Sequence, residues 1–212
     1  IMKKILLTIS IIIALTISAS AQFKPFQFGL KIEPGLSWSK LNSDHLVNGK
    51  TKLAFNWGFV GNIYFVENYG LSTGFNVRFM NNEYSFGENE HQITRTINNQ
   101  YLEIPVGMTM RTEKMGKFRI LGNVGYGLGF LLSTNEKNFD INGNETIMLK
   151  ETDYSKLRHA LILKLGVEYY IHKSSCIVAA LVFNNNFTNI YGTNYEQNVS
   201  LNNLCLEIGF MF

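Results

Sequence analysis

The chain has 212 residues, the length of one domain, with 46% hydrophobic and only 17% charged residues and a formal charge of +3. Mean hydropathy is nevertheless +0.01, so apolar and polar residues must be finely interleaved rather than segregated in blocks. So small a charge gives no case for a nucleic-acid partner, and two cysteines are too few for a disulfide framework.

Residues 1–21 read as a cleavable signal peptide. Lys3 and Lys4 form a positive n-region, Ile5 to Ile17 is apolar apart from Thr and Ser, and Ser18-Ala19-Ser20-Ala21 supplies a small-residue cleavage site before Gln22. The apolar stretch is too short for a bilayer core, which needs ~20 helical residues. Excising the two lysines lowers the formal charge from +3 to +1.

From residue 22 to 212 the dominant signal is period-two alternation, expected to build one domain. Phe28, Leu30, Ile32, Leu36 and Trp38 alternate with Gly29, Lys31, Glu33, Gly35 and Ser37. Leu53, Phe55, Trp57, Phe59, Ile63 and Phe65 follow, then Leu71, Phe75, Val77 and Phe79, then Leu102, Ile104, Val106, Met108 and Met110. Phe118 to Leu132, Leu161 to Ile171, Ile177 to Phe183 and Leu204 to Phe212 continue the pattern. About eight such segments predict strands with one apolar face. Short links near Val66–Tyr69, Glu113–Gly116 and His172–Ser175 alternate with long polar ones at Ser39–Lys52, Asn81–Asn99, Thr134–Lys156 and about Asn185–Ser200. Pro34 and Pro105 interrupt strands, and a bulge or strand end is expected at Pro34.

The apolar positions carry no charge, as contact with lipid demands, since Arg or Lys at the midplane costs ~2–4 kcal/mol. The opposite face carries Lys31, Glu33, Arg78, Glu103, Arg111, Arg119, Lys164, Glu168 and Glu207, which are expected to pair as a structural charge network inside a narrow barrel. Trp38, Phe65, Tyr69, Phe79, Phe118, Phe183 and Phe212 stand at segment ends, where interfacial girdles belong. The expected fold is all-β: an eight-stranded antiparallel transmembrane β-barrel in the bacterial outer membrane, with short periplasmic turns and long extracellular loops. Counting from the middle of the Asn81–Asn99 link puts Arg78 nearly opposite Glu103 near the extracellular end, and the next link puts Arg111 opposite Arg119. Cys176 and Cys205 come out too far apart to bridge.

Gln100-Tyr101-Leu102-Glu103-Ile104-Pro105-Val106-Gly107 followed by Gly122-Asn123-Val124-Gly125-Tyr126-Gly127 resembles the PorT-like outer-membrane β-barrel family of Bacteroidetes-type bacteria. Gly29-Leu30-Lys31 and the terminal Phe210-Met211-Phe212 are similar to that family too. The resemblance implies an eight-stranded barrel without catalytic residues, and Phe212 matches an aromatic C-terminal signal read by the barrel assembly machinery.

No nucleophile, base and acid share a productive spacing. His45 and His91 stand in long links with Ser43, Asp44, Glu88 and Glu90, His159 at an outer strand start, and His172 in a tight turn. No catalytic, metal or cofactor site is expected. The chain reads as a non-enzymatic barrel with a structural, adhesive or secretion-associated task, its partners being outer-membrane lipids, the assembly machinery and a protein met by the extracellular loops. The alternatives are an outer-membrane lipid-modifying enzyme and a soluble periplasmic ligand-binding barrel.

Overall fold

The computed structural model describes residues 25–41, 46–87, 92–146, 154–172, 174–191 and 199–212. The expected leader, His45 and His91 with their neighbouring Ser43, Asp44, Glu88 and Glu90 lie outside the described residues. The strands are β1 (Phe26–Leu41), β2 (Leu46–Asn48), β3 (Lys52–Val66), β4 (Tyr69–Phe86), β5 (Ile93–Arg111), β6 (Phe118–Phe139), β7 (Glu145–Thr146), β8 (Leu157–Tyr170), β9 (Cys176–Asn186) and β10 (Val199–Met211). β2 and β7 are short additions to β4 and β6. The eight long strands form an antiparallel meander that closes when β10 pairs with β1, for example Leu30 with Phe210 and Ser37 with Asn203. Closure leaves no unpaired edge, which a lipid environment does not tolerate.

Alternation sorts the two faces. Along β3, Leu53, Phe55, Trp57, Ile63 and Phe65 are exposed while Ala54, Asn56, Gly58, Val60, Asn62 and Tyr64 are buried. β9, apolar on both faces, obeys the same parity: Cys176, Val178, Ala180 and Val182 point inward, and Ile177, Ala179 and Leu181 outward. The outward set forms a continuous apolar belt, with Phe28, Phe59 and Phe75 in a stacked row and Trp38 stacked on Phe183 near the loop end.

Three expectations about strands need correction. The Asn81–Asn99 and Thr134–Lys156 segments are not loops throughout: β4 runs on to Phe86, β5 starts at Ile93 and β6 reaches Phe139. These strands have 18, 19 and 22 residues, about twice the ~9–11 that cross a bilayer, so their loop-end portions stand clear of the apolar belt. In β4 and β5 the polarity of the two faces inverts there. Met80, Asn82 and Tyr84 of β4 and Ile97, Asn99 and Tyr101 of β5 are buried, while Glu83, Ser85, Thr94 and Thr96 face outward. A strand between lipid and a polar lumen needs apolar residues outside. The same strand in water needs them inside, and the sequence changes parity between Phe79 and Met80. Second, Pro34 causes neither bulge nor strand end: β1 passes through it in unchanged register, with Ile32 on Ile208 and Gly35 on Cys205. The bulges lie instead near Tyr64 of β3 and opposite Gln100 of β5. Third, β4 pairs Arg78 with Tyr101 and Asn76 with Glu103, a shift of two residues from the expected register. Arg78 is thus mid-strand rather than at the top.

Candidate functional site

All nine expected lumen charges lie on the inner face, in two groups. The central group gathers Lys31, Glu33, Arg78, Glu103, Lys164 and Glu207 from β1, β4, β5, β8 and β10. Glu103 accepts from Arg78 Nε at 2.7 Å, and Lys31 Nζ reaches Glu33 at 2.6 Å and Glu207 at 3.4 Å. Lys164 Nζ lies 2.9 Å from Glu207, and Arg78 Nη1 lies 3.5 Å from Glu33. Arg78 and Glu103 meet although they are not opposite, because a diagonal on one face of a sheet is within reach of a guanidinium.

Arg158, absent from the sequence-derived set, completes this group. Its Nη1 lies 2.5 Å from Glu103 Oε2 and its Nη2 donates to Asn184 Oδ1. Its even-numbered position places it with Ala160, Ile162, Lys164 and Glu168 on the inner face. That parity was the available signal, hidden because β8 was expected to begin later. Asn56 and Asn76 donate to Glu33 and Glu103 at 3.1 and 3.2 Å. Such groups persist in a low-dielectric interior only when paired and hydrogen-bonded.

The second group sits at the turn end. Arg119 stands opposite Glu168 in the register of β6 and β8, and its Nη2 reaches Glu67 Oε1 at 2.5 Å. Arg111 lies 3.8 Å from Glu168 and places its guanidinium 3.6 Å from the centre of the Tyr64 ring. Arg111 is opposite Leu121, not Arg119 as expected, so the two arginines do not face each other across the pair. Cys176 and Cys205 are buried and unbridged. They lie on different rungs, opposite Met211 and Val182.

The inner face is not polar throughout. Toward the loop end Met80, Tyr84, Ile97, Tyr101, Ile190, Tyr191, Val199 and Leu201 form a buried apolar cluster. Tyr191, within the expected link at about Asn185–Ser200, folds inward and hydrogen-bonds Tyr84 through its hydroxyl. Burial pushes both phenols above their ordinary pKa, so both stay protonated and available as donors. Tyr101 divides this plug from the charges beneath, with Arg158 5.7 Å from its ring centre. Further out, Arg95 lies 3.0 Å from Glu136. On the outer wall Glu83 is held by Lys52 at 2.6 Å and the Lys50 amide at 3.1 Å. Burial alone would raise its carboxyl pKa, but these hydrogen bonds and the two lysine charges prevail and lower it.

Of the histidines, His172 is exposed in its turn. His159 faces outward and its Nδ1 bonds the Tyr126 hydroxyl, a pair with no carboxylate hydrogen-bonded to it among the described residues. No group of His, Cys, Asp and Glu suited to a metal occurs among the described residues.

Comparison with solved structures finds several barrels of low identity. OprG from Pseudomonas aeruginosa is 12% identical, with 88% of this chain and 95% of that chain covered at a TM-score of 0.48. Neisserial surface protein A is 10% identical, with coverages of 86% and 95% and a TM-score of 0.47. Ail, the attachment invasion locus protein of Yersinia pestis, crystallised with the heparin analogue sucrose octasulfate, is 16% identical, with coverages of 89% and 100% and a TM-score of 0.43. No curated protein matches. The model of the outer membrane protein beta-barrel domain matches residues 9–212, spanning the alternating strands, the apolar belt and the closed meander described above. The chain belongs to that family and is a β-barrel protein of the bacterial outer membrane.

Proposed function

We propose that this barrel is neither a catalyst nor a pore, and that it serves a structural, adhesive or secretion-associated task through its extracellular end. The observation that carries this reading is the occupied lumen: a buried charge cluster at mid-height and an apolar plug above it, anchored by Tyr84, Tyr101 and Tyr191. Eight strands enclose an interior that side chains fill, and here polar and apolar side chains fill it in turn. What is left for recognition is the part beyond the membrane, where β4, β5 and β6 rise as a wall with Ser85, Thr94 and Thr96 facing outward. We further read the chain as PorT-like, on the residues from Gln100 to Gly107 and Gly122 to Gly127, as exported by residues 1–21, and as delivered to the assembly machinery by Phe212.

The test combines two measurements on cells with and without the gene. Site-specific photocrosslinking from Thr94 and Thr96 in intact outer membranes is expected to give a discrete adduct absent from positions on the periplasmic turns. Mass spectra of lipid A are expected to be unchanged. Altered lipid A would favour a lipid-modifying enzyme, and discrete conductance of the purified protein in planar bilayers would favour a pore.

A further inference from the structure

The central charge cluster does not balance. Among the described residues it contains the cations Lys31, Arg78, Arg158 and Lys164 against the carboxylates Glu33, Glu103 and Glu207, all facing the lumen. The imbalance is local, because a cavity of about 30 Å³ opens inside the barrel where Lys31, Arg78 and Lys164 converge. Glu207 is the one carboxylate on its wall, and Ser72 and Asn76 add polar groups. Arg78 is fully buried, yet among the described residues its Nη1 has no hydrogen-bond partner, the nearest carboxylate oxygen to it being at 3.5 Å. Lys164 Nζ, with three donors, spends one on Glu207 at 2.9 Å.

A buried cation without a counter-charge is costly, and a buried donor without an acceptor adds to that cost. A small anion in the cavity removes both penalties. It balances the charge and accepts from Arg78 Nη1 and the spare Lys164 donors. The space open to the centre of a water-sized sphere is about 30 Å³, against the ~10–15 Å³ that one water needs, so the cavity suits a small inorganic anion.

We propose that the lumen contains a binding site for one monovalent inorganic anion of halide size, held by Arg78, Lys164 and Lys31. The site is a structural counter-ion position beneath the plug, independent of whatever partner the extracellular end meets.

The experiment uses the whole barrel in detergent at constant ionic strength, with bromide as the probe and gluconate, too large to enter, as the reference anion. The midpoint of thermal unfolding is expected to rise with bromide, since a ligand bound only by the folded state stabilises it. Lys164→Met equalises cations and carboxylates and is expected to lose the bromide dependence. Glu207→Gln widens the imbalance and is expected to show the same rise at about tenfold lower bromide, equivalent to ~1.4 kcal/mol of added attraction. Crystals grown in bromide are expected to show an anomalous peak between Arg78 and Lys164. An unfolding midpoint indifferent to bromide in both the parent and Glu207→Gln would overturn the proposal, as would a cavity without anomalous signal.

Discussion

Glu103 joins two guanidiniums, those of Arg78 and Arg158, inside the lumen. Its carboxylate, with no exposed surface, accepts from Arg78 at 2.7 Å and from Arg158 at 2.5 Å. Glu103→Gln keeps the volume and removes the charge. Arg78 then retains Glu33 at 3.5 Å, but among the described residues Arg158 keeps no carboxylate, only the neutral Asn184 and the Tyr101 ring. Stranding one partner of a buried pair costs ~3–5 kcal/mol, and the loss is expected at the upper end of that range because two guanidiniums are affected. Adding Arg158→Met to Glu103→Gln removes the stranded charge, so the double variant is expected to be more stable than Glu103→Gln alone. The coupling energy for Glu103 and Arg158 should reach ~2–3 kcal/mol, the upper part of the range for residues in contact. Lys137 and Glu145, 3.4 Å apart and about half exposed, provide the reference pair, with an expected coupling below ~1 kcal/mol. Urea unfolding in lipid vesicles, followed by the fluorescence of Trp38 and Trp57 and by gel mobility, reads all of these. Equal couplings for the two pairs, or a double variant no more stable than Glu103→Gln, would refute the view that the lumen shields these charges.

Other consequences are more direct. Leu163 stands mid-strand on the outer face of β8, so Leu163→Arg should lose ~2–4 kcal/mol in lipid vesicles, whereas Thr96→Arg on the wall above the belt should change stability by less than ~0.5 kcal/mol. Similar losses at both sites would contradict the inverted faces. Cys176 and Cys205 should resist a maleimide reagent in the folded barrel and both react after denaturation, and a 176–205 disulfide-linked peptide in non-reducing mass spectrometry would contradict the register of β9 against β10. N-terminal sequencing of the outer-membrane fraction should begin at Gln22, and recovery of protein that retains Lys3 would refute cleavage after Ala21.

The strands and their faces were legible because alternation is a local property. Successive Cβ atoms point to opposite sides of any strand, so Phe55 and Trp57 declare an outer face and Asn56 an inner one without reference to any other segment. The same parity predicted the lumen residues one at a time, from Lys31 to Glu207. Apolar-outward parity holds only within the belt, so it does not carry into the upper parts of β4 and β5. Past Phe79 the surroundings change from lipid to water, and the apolar parity changes from odd to even at Met80 and Tyr84. The Asn81–Asn99 stretch, polar like a loop, contains strand ends whose apolar side chains turn inward.

What only the tertiary structure decided is how the inner faces meet. Whether Arg78 stands opposite Glu103 or one diagonal away depends on register, which a count from the middle of a loop fixes only to within two residues. Arg158 reaches Glu103 across 55 positions of sequence, and Tyr191 reaches Tyr84 across 107, in each case because closing the sheet turns both inner faces toward a common axis. The balance of charge inside the barrel is likewise a property of the closed ring. Each strand by itself shows only an alternating side chain, and the cation left over emerges when β1, β4, β5, β8 and β10 enclose the same space and keep water from dispersing their charges.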